Sequence, residues 1–222
     1  MKTIGKKNCF VVLLVLLFNL FAAIFSNAEE NGINKTLHLK RTAVLPFQAV
    51  MAKTELSNTV ACPLCGAVYF GGKIAEGGEK VVEELFIEKL KDIKEIEILP
   101  QEKVDGIYKR VNAESLKMTL PKIISKTGKE LDADVVAVGY VFRYMERIGY
   151  EYSAEKPASV AFEINLINPN DGSIIWKGVF DKTQKSLMED VFHVSSLKWL
   201  TARELAKQGM NQVFKTFPVF EY

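Results

Sequence analysis

Apolar and polar positions beyond residue 41 follow two periods, and the switches between them divide the chain into elements. Residues 42–47 (TAVLPF) form a short apolar run ending at Pro46-Phe47, which reads as a buried first strand. Over residues 79–93, Val82, Leu85, Phe86, Leu90 and Ile93 fall on one helical face, with Glu83, Glu84, Glu88, Lys89 and Lys91 elsewhere. Residues 95–99 (EIEIL) alternate as a strand and stop at Pro100. Residues 101–111 predict a short helix that carries Gly106. Residues 116–131 predict a longer one, with Leu116, Leu120, Ile123, Ile124 and Leu131 on its apolar side. Pro121 is accommodated if that helix begins at Leu120, which places the ring in the first turn.

Residues 134–142 (DVVAVGYVF) are nearly continuous in Val and aromatic residues, the composition of a central strand. Residues 143–157 predict a polar, tyrosine-containing loop or a protruding hairpin. Over 159–167 the pattern alternates, with Val160, Phe162, Ile164 and Leu166 facing one way. The turn sequence NPNDG follows at 168–172. Residues 173–181 alternate again, with Ile174, Trp176, Gly178 and Phe180 on one face, so 159–181 reads as a β-hairpin. Thr201 and Glu204 have capping-box spacing, and the helix they open runs through Leu205, Ala206, Gly209, Val213, Phe214 and Phe217 to Pro218. The order β-α-β-α-β-β-β-α predicts a single layered α+β domain over 41–218, with helices packed on a mixed β-sheet. Residues 48–78 show no period; a loop of that length inside a compact domain marks a functional segment.

The start of the chain adds a compartment. Lys2, Lys6 and Lys7 precede an uncharged stretch at 10–25, interrupted only by Asn19, and Ser26 and Ala28 supply the small residues of a cleavage site. Residues 1–28 therefore read as a cleavable signal peptide, and 29–40 as a polar leader. The apolar stretch is shorter than the roughly 20 residues of a bilayer span; a retained N-terminal anchor is the other reading. Cys9 precedes the apolar run rather than following it, so the expectation is a soluble periplasmic product that is not lipid-anchored. Without the three leading lysines the formal charge falls from +2 to −1, and the rest has no basic run, which argues against nucleic acid as a partner.

Candidate chemistry is concentrated in Cys62-Pro63-Leu64-Cys65. In an oxidising compartment the pair can close a local disulfide that staples the loop. As half of a ribbon-like CPxCG it can hold a metal, zinc being the candidate ion, if other ligands join it. As a redox pair it would need Cys62 at a helix N-terminus, against which Gly66, Gly71 and Gly72 argue. His193 lies near Glu189 and Asp190, but a His beside carboxylates is not a site without a nucleophile or metal. No G-x-S-x-G, P-loop, HExxH or GxGxxG sequence occurs, and no enzyme or cofactor beyond that metal is expected. The pairs Gly71-Gly72 and Gly77-Gly78 read as loop flexibility. Residues 143–152 (RYMERIGYEY) are rich in the types that dominate interface hot spots, so Arg143, Tyr144, Arg147, Tyr150 and Tyr152 are the candidate partner-binding residues; an ordinary exposed loop is the plainer reading.

Taken in order, TAVLPF, EIEILP, LDADVVAVGYVFRY and FEINLINPNDGSIIWKGVF resemble a periplasmic domain found in three groups of envelope proteins. These are the curli-export lipoprotein, the lipoprotein activators of penicillin-binding proteins and the N-terminal domain of the Tol-Pal propeller protein. The likeness covers residues 40–217. The CPLCG loop and the end helix beginning WLTAREL also resemble those of other exported bacterial proteins. Two features depart from the pattern: the lipid-attachment Cys is missing, and so are the long amphipathic segments of a membrane barrel. The resemblance thus implies a non-enzymatic periplasmic accessory or binding protein that assists assembly or activity of a cell-envelope component, with an envelope protein as partner. The alternatives are a metal- or thiol-dependent protein using Cys62 and Cys65, and a homo-oligomeric, ring-forming subunit of an envelope secretion channel.

Overall fold

The chain enters the sheet through β1 (Arg41–Val44), which leaves its ladder before Pro46 and resumes as β2 (Gln48–Ala49). This is the computed structural model of residues 41–52, 58–115, 117–185 and 198–218, all within one compact unit. The expected signal peptide and leader, His38, Leu116 and the group Glu189, Asp190 and His193 lie outside the described residues.

After β2 come a small hairpin, β3 (Thr59–Ala61) and β4 (Val68–Phe70), then helix α1 (Gly78–Lys91) and strand β5 (Glu97–Ile98). Helices α2 (Gln101–Glu114) and α3 (Leu120–Glu130) follow, and α3 begins at Leu120 with Pro121 in its first turn, where a missing N–H costs nothing. The long strand β6 (Val135–Met145) runs into a second small hairpin, β7 (Ile148–Tyr150) and β8 (Ser153–Lys156). Strands β9 (Ser159–Ile167) and β10 (Ile174–Thr183) form the expected third hairpin, and α4 (Ala202–Val213) closes the chain with a short 3₁₀ turn, Phe214–Thr216.

The main sheet has the order β10-β9-β6-β1-β5, with β2 also on β6. It is mixed: β1 is parallel to β5 and β6, whereas β9 is antiparallel to β6 and β10. The α+β class is the one the periodicity predicts, and the main elements follow the predicted order except that two helices, α2 and α3, stand between β5 and β6 where that order has one. β2 and β3–β4 are additional, and β7–β8 is the protruding hairpin, one of the two readings of 143–157. Pairs α1–α4 and α2–α3 each pack together on the sheet. Ala43, Leu45, Val136, Val138, Tyr140 and Phe142 join Val104, Val111, Ile123 and Ile124 of α2 and α3 in one buried core, and Val60 and Cys62 of the β3 segment belong to it. The α1–α4 layer is closed by aromatic rings: Phe86 packs on Phe47 and Phe214, and Phe217 stacks on Phe214 and meets Trp176 edge-on.

Two irregularities matter for the site. A bulge sets two successive β6 residues, Phe142 and Arg143, against the single Ala161 of β9. Another, between Ile174 and Trp176, takes Ile174 out of the expected alternation and leaves it exposed. Of the glycines expected to confer flexibility, Gly71, Gly72 and Gly78 instead allow close approach, and Gly77 takes a positive φ of 73°. A Cβ on Gly72 would sit 2.8 Å from the Arg143 side chain, and one on Gly78 2.8 Å from the Tyr144 ring.

Candidate functional site

The segment expected to carry the partner surface divides in two. Arg143 and Tyr144 are still part of β6 and are buried, which corrects their placement on an exposed loop. The Arg143 guanidinium serves the interior: Nε donates to Ser159 Oγ at 2.5 Å, Nη1 to the Phe70 carbonyl at 2.7 Å, and Nη2 pairs with Asp181. Tyr144 packs against the start of α1, and burial pushes its phenol up to about 12. Beyond them, β7–β8 forms a hairpin whose apolar side chains have no cover: Ile148, Tyr150 and Tyr152 are 50%, 83% and 71% exposed.

This hairpin is fixed at both ends from the segment that leads into α4, at its base through Glu146 and Arg147 and at its turn through Glu151. The Trp199 amide donates to the Glu151 carbonyl at 2.6 Å, and Arg147 Nη1 donates to the Trp199 carbonyl. Glu146 Oε1 accepts the Ala202 amide at 2.9 Å, a carboxylate placed at a helix N-terminus where the dipole favours it. Trp199 therefore works through its backbone, and Arg147 is a half-buried brace rather than a free contact residue.

A second constellation forms beneath the β3–β4 hairpin, where residues 48–78 were expected to form only a loop. β3 and β4 alternate: Val60 and Cys62 point inward, Thr59 and Ala61 outward, and Tyr69 stacks on Phe142 with ring centroids 4.3 Å apart. Below them lies Glu163 in the middle of β9, with no exposed surface. The Cys62 and Cys65 thiols approach its Oε1 at 3.2 and 3.3 Å, Asn165 Nδ2 donates to Oε1 at 2.8 Å, and the Tyr69 hydroxyl donates to Oε2. One sulfur from each cysteine and a Glu163 oxygen all lie within 4.8 Å of one another.

Both cysteines are free thiols, Cys62 buried and Cys65 exposed, so the disulfide expected from their spacing is not formed here. The physical reason is the carboxylate, which draws each S–H toward one acceptor instead of aligning the sulfurs on each other. Burial pushes the Cys62 thiol up to about 12, and Glu163 adds to this against the amides of Cys65 and Leu64. A redox-active pair needs the opposite shift. For Glu163, burial favours protonation, but the bonds from Tyr69, Asn165, Cys62 and Cys65 outweigh it and hold the carboxyl below its usual range. Tyr69 is raised by burial and by the carboxylate it donates to.

Sequence reasoning missed Glu163. The alternation of 159–167 puts it on the face opposite Phe162 and Ile164, which reads as solvent-facing. All nine residues of β9 are buried, because helix layer and hairpin cover opposite faces. The available signal was the cluster of Glu163 and Asn165 on a face that also carries Ala161 and Ile167.

No family model matches the chain, and no curated protein matches it. Solved structures do. The PelC dodecamer from Paraburkholderia phytofirmans is 14% identical over 82% of this chain and 89% of that one, with a TM-score of 0.45. Lipoprotein GNA1162 from Neisseria meningitidis is 13% identical over 80% and 99%, with a TM-score of 0.46. The LpoB C-terminal domain from Salmonella enterica is 11% identical over 68% and 87%, with a TM-score of 0.39. At such identities and scores the likeness says nothing about what this chain binds.

Proposed function

We propose that the protein is a non-enzymatic accessory component of the bacterial envelope, working in the periplasm, that docks on another envelope protein through the tip of the β7–β8 hairpin. In this reading residues 1–28 are the export signal and 41–218 the working domain. The observation that carries it is a hairpin whose large side chains are exposed while its backbone is held at both base and turn. Ile148 and Tyr150 of β7 and Tyr152 of the turn are left exposed, while Glu146 and Arg147 at the base and the Glu151 carbonyl in the turn tie the hairpin to the α4 entrance. Tyrosines on a preorganised loop bring large contact area at little cost in ordering. The contact set is therefore Ile148, Tyr150 and Tyr152, with Arg147 bracing them.

The test is crosslinking in intact envelopes, with Tyr150 and Tyr152 both changed to Ala. The double variant is expected to keep the parent's thermal midpoint and to lose the crosslinked partner. Loss of one central tyrosine corresponds to about 2 kcal/mol, or roughly 30-fold in affinity. A folded double variant that captures the partner as the parent does removes the tip from the interface. Recovery of a second copy of this chain would identify the contact as self-association.

A further inference from the structure

We propose that Cys62, Cys65 and Glu163 form a binding site for a thiophilic divalent cation, zinc, at the seam between the β3–β4 hairpin and β9. The proposal is independent of the docking reading, because it involves none of the residues of the β7–β8 hairpin.

The donor set and its spacing carry it. Zinc takes thiolate sulfur at about 2.3 Å and carboxylate oxygen at about 2.0 Å in tetrahedral array, which sets sulfur–oxygen edges of about 3.5 Å. The two sulfurs lie 3.2 and 3.3 Å from Glu163 Oε1, and Cys65 lies 3.7 Å from Oε2. The sulfur–oxygen separations lie within a few tenths of an ångström of that edge, and the two sulfurs lie within 4.8 Å of each other, where tetrahedral zinc sets about 3.8 Å. Two thiolates in the set favour zinc over magnesium or calcium, which prefer all-oxygen ligands.

Charge points the same way. Glu163 is a fully buried carboxylate, and among the described residues no Lys, Arg or His pairs with it. Buried charges are normally paired or coordinate metals. Here the nearest groups are two further metal ligands. Outer support is also in place: the Tyr69 hydroxyl holds the far oxygen, and Asn165 Nδ2 fixes the near one. Such contacts orient a ligating carboxylate. The Asn165 Oδ1 atom is buried without a partner beside it. Exposed Cys65 gives the ion a route in and leaves the fourth position to water. Because Cys62 and Glu163 are 101 residues apart in the chain, the ion would clip the hairpin onto the central sheet.

The experiment uses the full chain, purified reduced and free of metal with a chelator, then titrated with cobalt(II) and zinc(II). One cobalt per chain is expected, with thiolate charge-transfer absorption and the intense visible bands of tetrahedral coordination, displaced by one zinc. Zinc should raise the thermal midpoint and slow amide exchange over residues 58–70. Glu163→Gln should weaken zinc by at least about tenfold in competition with a chromophoric chelator. Cys65→Ser, at an exposed position, should weaken it more, and it decides the question if Glu163→Gln fails to fold. The proposal is overturned by absence of stoichiometric binding, by Glu163→Gln or Cys65→Ser binding zinc as tightly as the parent, or by protein isolated from its own compartment with a closed Cys62–Cys65 disulfide and no metal.

Discussion

Arg143 shows how much of a residue's role is decided by one step in strand register. Its guanidinium reaches Ser159, the Phe70 carbonyl and Asp181 at once, tying β6 to β4, β9 and β10. Removing it leaves the Asp181 carboxylate, itself a third exposed, facing a vacated polar pocket. Arg143→Ala is expected to cost about 3 kcal/mol in urea unfolding, the low end for breaking a buried pair. Lysine should not restore it, since a point charge cannot serve three diverging acceptors. The sequence RYMERIGYEY offers no sign of this division. Arginine and tyrosine are as suitable for an interior brace as for an interface, and only the continuation of β6 past Phe142 separates the two uses. Cys62 and Cys65 were legible as chemistry from their spacing. Their partner Glu163 was not, because it lies about a hundred residues away on a strand whose second cover carries no period.

Among the elements, those that bury a face over two or more turns, or over five or more strand residues, could be read directly. The helices α1, α3 and α4 and the β9–β10 hairpin are of that kind. β3 and β4 have three residues each, fewer than any periodic pattern can register, and they are positioned by what lies beneath them. The α4 start was legible to the residue. The Glu204 amide donates to Thr201 Oγ1 at 3.1 Å while Glu204 Oε2 accepts the Thr201 amide at 2.8 Å. Burial opposes the Glu204 charge, but Lys198 at 2.8 Å and the Thr201 donors prevail and hold its carboxyl below the usual range. A depressed carboxylate contributes stability that is complete above the unfolded value of about 4.3 and is lost as pH falls through the folded value. Glu204→Gln is therefore expected to lower stability at neutral pH, and its difference from the parent should shrink as acid titrates the parent's carboxylate. Thermal unfolding followed from pH 7 down to about pH 3 checks this. A constant gap across that range would contradict it.

For the molecule as a whole, the centre is a pair of strands covered on both faces. β9 is buried throughout, and β6 from Val135 to Tyr144. Their amides are expected to exchange with solvent only on global unfolding, while those of the β7–β8 hairpin exchange through local opening. Hydrogen-exchange mass spectrometry across 135–167 would show the contrast, and protection of 148–156 equal to that of β9 would contradict it. The bulge in this core pair has a further consequence. Up to Phe142, even-numbered side chains of β6 face α2, α3 and the β3–β4 hairpin; past it, odd-numbered Arg143 faces the hairpin and Tyr144 faces α1. The strand is a reading frame with one spare letter. Deleting a residue elsewhere in its middle would exchange inside for outside along the remainder of the strand. Deleting Phe142 would leave the downstream residues in phase, and the loss would be felt at the ring of Tyr69, which would have nothing to stack on.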